Sequence, residues 1–107
     1  MQSDNHWHDR LVSIASDIAD GNLDFVAGLR LIVGVWKDAG QPAGECFDVL
    51  RALESDTDHF PVGEVRRHCT IEYLAAADAE KEQYFLKCRD DLLAACSEII
   101  QANYSLI

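Results

Sequence analysis

Apolar residues return along this chain at the three- and four-residue steps of helices, with no alternating stretch that would read as a strand. Trp7, Leu11, Ile14 and Ile18 share one face of a first helix. Asp4 is its expected N-cap, since a carboxylate there accepts an amide proton the helix leaves unpaired, and Gly21 is its expected C-cap. A second helix, capped by Asn22 or Asp24, carries Phe25, Leu29, Ile32 and Trp36 on its main stripe, widened by Val26 and Val33. Leu31 and Val35 add apolar groups on its other sides, which marks it as the central helix. Gly28 and Gly34 each weaken a helix by about 1 kcal/mol relative to alanine, and close approach of another helix is the expected reason for both. Gly40 followed by Pro42 closes the segment.

A third, shorter helix is expected from about Ala43 to Leu53 on the apolar set Cys46, Phe47, Val49, Leu50 and Leu53. From Glu54 to Gly63 helix breakers replace the period and predict a loop, with Thr57 or Asp58 capping a turn through side-chain oxygens. Pro61 suits the first position of a one- to two-turn helix ending near His68. Thr70 caps the last helix, in which Ile71, Leu74 and Ala75 are expected to pack early and Phe85, Cys88, Leu92, Cys96 and Ile99 later. No glycine or proline interrupts Ile71 to Ile107, which predicts one continuous helix. The fold expected is all-α: one domain over residues 1–107, a compact bundle of four main helices with a short extra helical turn after an acidic loop.

Composition fits that picture and narrows the partners. The 107 residues are 49 % hydrophobic and 26 % charged, the balance of a globular domain. The longest apolar-rich run, Phe25 to Trp36, is interrupted by Arg30 and too short to cross a bilayer. The start of the chain lacks the basic-then-apolar pattern of a secretory signal, so a cytoplasmic location is expected. Cys46, Cys69, Cys88 and Cys96 form no C-x-x-C pair and are read as free thiols in a reducing compartment.

The formal charge of −10 is spread unevenly. Asp38, Glu45, Asp48, Glu54, Asp56, Asp58 and Glu64 face a single basic residue, Arg51, across that stretch. Repulsion at this density adds nothing to the fold, so the acids serve either solubility or a basic partner. The predicted partner surface is Glu54, Asp56, Asp58 and Glu64 with Phe60, which is either an interface anchor or a plug fixing the loop to the core. Nucleic acid and anionic membranes are excluded as partners by charge, since Arg66, Arg67 and His68 are too small a basic spot.

Other chemistry finds little footing. Counted from Asp56, a calcium loop needs glycine sixth and glutamate twelfth; Pro61 and Arg67 stand there, which excludes an EF-hand. His6, His8, His59, His68 and Cys69 lack zinc-ligand spacing, and no cofactor or metal is expected. No nucleophile elbow or phosphate-binding glycine loop is present, so no catalytic residue is assigned. Trp7 and Trp36 fall on apolar stripes and read as core. Tyr104, Leu106 and Ile107 form an apolar end that either packs back, stays exposed, or pairs across a homodimer.

The segment Ser55-Asp56-Thr57-Asp58-His59-Phe60-Pro61-Val62-Gly63-Glu64-Val65-Arg66, with the helix holding Phe85, Arg89 and Cys96, resembles small helical bacterial proteins of unknown function. Those proteins carry a T-D-x-x-P-V-G-x-V-R-like segment before their last helix. The resemblance covers the second half of the chain and implies a bacterial origin and a helical fold, with no activity attached. The small, acidic, helical character is also similar to immunity proteins that neutralise basic bacterial toxins, a likeness of character without a shared motif. A homo-oligomeric helical protein of housekeeping or scaffold role is the alternative.

Overall fold

The computed structural model describes residues 6–105, with side chains from Trp7 to Gln101. Asp4, Leu106, Ile107 and the side chains of His6 and Tyr104 therefore lie outside the described residues. Four α-helices run in order: α1 His6–Ala19, α2 Phe25–Asp38, α3 Glu45–Asp56 and α4 Ile71–Ser105, with a 3-10 helix at Gly63–His68. No strand occurs among the described residues. The path is up-down-up-down, with α1 packed on α2 and α4, and α3 on the same two helices.

Local chemistry sets most of the helix ends. The Asp24 carboxylate, the second of the two expected caps, accepts from the amides of Val26 and Ala27 at 3.2 and 3.1 Å. Gly21 takes φ +77°, and the Asn22 amide reaches back to the Asp17 carbonyl at 2.9 Å. Gly40 repeats this closure at φ +91°, with Gln41 bonded to Trp36 at 3.0 Å. Thr70 Oγ1 accepts from the Tyr73 amide at 3.0 Å, capping α4.

The core lies between the helices. α2 is the most deeply embedded, burying Phe25, Val26, Leu29, Ile32, Val33, Val35 and Trp36 together with Gly28. Leu11, Ala15 and Ile18 meet them from α1, Leu50 and Leu53 from α3, and Cys88, Leu92, Cys96 and Ile99 from α4. Each fully buried leucine or isoleucine contributes roughly 1.5–3 kcal/mol. Trp36 is core, its indole N–H donating to the Pro42 carbonyl at 2.8 Å, whereas Trp7 is half-buried and stacked on His8. Arg51, the one base in the acidic stretch, lies 5.3 Å from the Trp36 ring centroid in a cation–π contact.

The two α2 glycines differ. A Cβ on Gly28 would stand 2.5 Å from Ile18 Cγ1, so close α1–α2 packing requires glycine there; a Cβ on Gly34 would meet nothing within 4 Å. The close-approach explanation thus holds for Gly28 and fails for Gly34. Gly34→Ala is expected to stabilise the fold by about 1 kcal/mol. Gly28→Ala is expected to destabilise it by about 1 kcal/mol net, since overpacking outweighs the helix-propensity gain. Thermal melts of the two variants should move in opposite directions.

At 35 residues, α4 is about 50 Å long, and it sets the 49 Å long axis of the molecule. It is continuous, as its sequence predicts. Its first turns do not pack as expected: Ile71 is 82 % exposed, Ala75 is exposed, and Leu74 is only half-buried. The near ends of α2 and α3 meet α4 at Lys81 and Tyr84, and Ala77 is its first buried residue, so the turns before Ala77 overhang the bundle. No described helix is long and apolar enough to cross a membrane.

Candidate functional site

The acidic segment is built differently from the expected loop. α3 continues through Glu54 and Ser55 to Asp56, so two of the four singled-out acids sit in a helical last turn. Thr57 makes this extension possible. Its side chain is fully buried, and its hydroxyl donates to the carbonyls of Leu53 at 2.8 Å and Glu54 at 3.2 Å. The expected turn cap through an accepting oxygen is thereby corrected: Thr57 acts as a donor and closes α3. The short helix begins at Gly63 rather than at Pro61, because Val62 is extended and Gly63 takes φ +67°.

Arg30 holds the turn beyond α3. Its Nη2 donates to the carbonyls of Thr57, Asp58 and Phe60 at 3.3, 3.0 and 2.6 Å. One guanidinium from α2 thus fixes the backbone that carries Asp58. Phe60 is 2 % exposed and belongs to the hydrophobic core. It is the plug of its two expected roles, and the role of surface anchor falls away.

The four acids are not equivalent. Asp56 Oδ2 accepts from the Tyr84 hydroxyl at 2.9 Å, and Glu64 pairs with Arg67 at 3.0 Å on a highly exposed patch. Glu54 is half-buried and Asp58 exposed, and neither carboxylate joins an ion pair among the described residues. The last turn of α3 contains no basic residue. Glu54 and Asp56 therefore add negative charge to the negative end of a helix dipole, an end whose Thr57 and Asp58 carbonyls are met by the Arg30 guanidinium from α2. The acids of this end form a cap over the C-terminus of α3.

α4 supplies neighbours that the sequence did not single out. Glu80 lies 3.4 Å from His59, and Lys87 and Gln83 complete a groove of about 320 Å³ between the turn and α4. The Tyr84 hydroxyl is pushed well above the ordinary phenol range by burial, then by the Asp56 carboxylate, so it stays protonated and donating near neutrality. Burial also raises the thiols of Cys46, Cys88 and Cys96, the last to about 11. Protonated thiols are the opposite of what a nucleophilic cysteine needs. Among the described residues no three His, Cys, Asp or Glu side chains gather to hold a metal ion.

Behind the cap, Arg66 secures the 3-10 helix to α4. It makes a two-pronged contact with Asp78 at 3.0 and 2.8 Å and donates to the Pro61 carbonyl at 3.2 Å. The hydrogen bonds from Arg66 hold the Asp78 carboxyl below its usual range. A depressed acid contributes stability above its unfolded pKa of about 3.9 and loses it as pH falls through the lower folded value. The Gly63–His68 segment is therefore expected to stay docked at pH 5, to begin loosening only below about pH 4, and to lose the Asp78 contribution as pH falls through the lower folded value. Amide exchange of residues 64–69 against pH checks this, and Asp78→Asn should reproduce the loosening at neutral pH.

Comparison with known proteins finds no matching family model, no matching curated protein and no matching solved structure.

Proposed function

We propose that this chain is a non-enzymatic binding domain whose acidic cap meets a basic protein partner. The supporting observation is the placement of Glu54, Asp56 and Asp58 around the C-terminal end of α3, against the helix dipole and without a base in its last turn. None of these three carboxylates joins an ion pair among the described residues, which favours a use outside the fold. Glu64, on the neighbouring 3-10 helix, extends the same surface. A pre-formed negative surface speeds association with a positive partner and makes it sensitive to salt. An inhibitor that neutralises a basic bacterial toxin is the most specific form of this reading.

Capture from a native lysate at low and then raised salt, read by mass spectrometry, tests it. The quadruple variant Glu54→Gln, Asp56→Asn, Asp58→Asn, Glu64→Gln runs alongside. A basic protein retained by wild type, released by salt and absent from the variant supports the reading; a basic partner held equally by both opposes it.

A second reading, self-association through α4, rests on the exposure of Leu86 at 64 % and Ile71 at 82 %. Sedimentation at micromolar concentration separates the two, since a monomer removes the second.

A further inference from the structure

Two grooves on the molecule carry bases beside their acids. In one, Asp24 and Asp78 face Lys81 and Arg66 and are paired with them. In the groove beside the cap, Asp56 and Glu80 face Lys87 and His59. A third, a trough of about 360 Å³ between the first half of α3 and the second half of α4, is built otherwise. Its apolar lining is Cys46, Val49, Ala94 and Ala95, of which Ala95 is buried and Ala94 exposed, with small residues on α4 leaving the seam open. Its rim is Glu45, Asp91 and Glu98, and no base lines it. None of these three carboxylates takes part in a salt bridge among the described residues. The field acts inside the trough, where burial and then Glu98 raise the Cys46 thiol.

We infer that this α3–α4 trough is a docking site for a cationic amphipathic helix of a partner protein. An apolar floor takes the apolar stripe of such a helix, and three unbalanced carboxylates take the lysines or arginines flanking it. Asp91 and Glu98 are seven residues apart on α4, about 10 Å along the axis. That spacing matches basic residues two turns apart on the incoming helix, with Glu45 facing them from the opposite rim. The trough starts about 16 Å along α3 from the acidic cap. It extends the basic-partner reading to a second surface and uses none of the four cap acids.

The test is a titration of isotope-labelled protein, followed by amide shifts, with a synthetic 18-residue Leu/Lys peptide whose leucines fall on one helical face. Controls are the Leu/Glu counterpart and a Leu/Lys peptide of equal composition with the apolar face scrambled. Shifts are expected to concentrate on residues 45–49 and 91–98, with neither control reproducing them. The triple variant Glu45→Gln, Asp91→Asn, Glu98→Gln should weaken binding at least tenfold. Ala94→Trp, an exposed position at which the new ring fills the trough, should do the same with every charge in place. The cap-neutral quadruple variant should bind the peptide as wild type does, which separates failure of this site from failure of the cap. Shifts centred on the cap or scattered over the acidic surface, equal binding of the scrambled peptide, or an unchanged affinity in the triple variant would overturn the inference.

Discussion

Arg30→Met is expected to destabilise the domain by about 2 kcal/mol and to lower its melting temperature by roughly 10 °C. The substitution keeps an apolar stem of similar length in α2 and removes the donor shared by the Thr57, Asp58 and Phe60 carbonyls. Two of these contacts are partly buried, so water replaces the lost donor only incompletely. The disturbance should be local before it is global. The amides of Thr57 and Phe60, bonded within this turn, should exchange faster than those of the α2 core, and Phe60 should become more accessible. An unchanged melt with unchanged exchange at these amides would show that the turn holds itself without Arg30.

Neutralising Glu54, Asp56, Asp58 and Glu64 together should act in the opposite direction on the fold. Two of these acids lie in the last turn of α3, and removing such a charge returns about 0.3–1 kcal/mol each. Asparagine at position 56 still presents a carbonyl oxygen to the Tyr84 hydroxyl, and the Glu64–Arg67 pair is too exposed to matter to stability. The variant should therefore melt no lower than wild type while associating with a basic partner at least tenfold more slowly. A fall in melting temperature would show that the acids stabilise the fold, and the cap would lose its argument.

The helices were legible because their signals are local. Asp24, Gly21, Gly40 and Thr70 each act on backbone groups within a few residues, so sequence spacing locates them. The end of α3 departs from the sequence pattern for the opposite reason. The stretch from Glu54 to Gly63 looks like a run of breakers, yet a buried threonine and an arginine 27 residues away carry the helix three residues further. The signal for Arg30 was present in outline, as the lone charge in the apolar run from Phe25 to Trp36. The overhang of Ile71 was not legible, because an apolar residue in a helix does not reveal where the neighbouring helices stop.

The candidate surface was half legible. Its acids stand out by their density, and the structure places Glu54, Asp56 and Asp58 together at one end of α3 with Glu64 on the next element. Tyr84 and Glu80, which join that end from α4, lie 28 and 21 residues from the groups they meet and follow no motif. The trough between α3 and α4 was not legible either, since Glu45 and Glu98 become neighbours only through the antiparallel packing of their helices.

The most direct measurement is the association rate of the captured basic partner with wild type and with the four-acid variant, across ionic strength. A charge-directed cap predicts a wild-type rate that falls steeply with salt and exceeds the variant's at least tenfold at low salt, the two converging as screening increases. Equal rates for the two proteins at every salt concentration would contradict it.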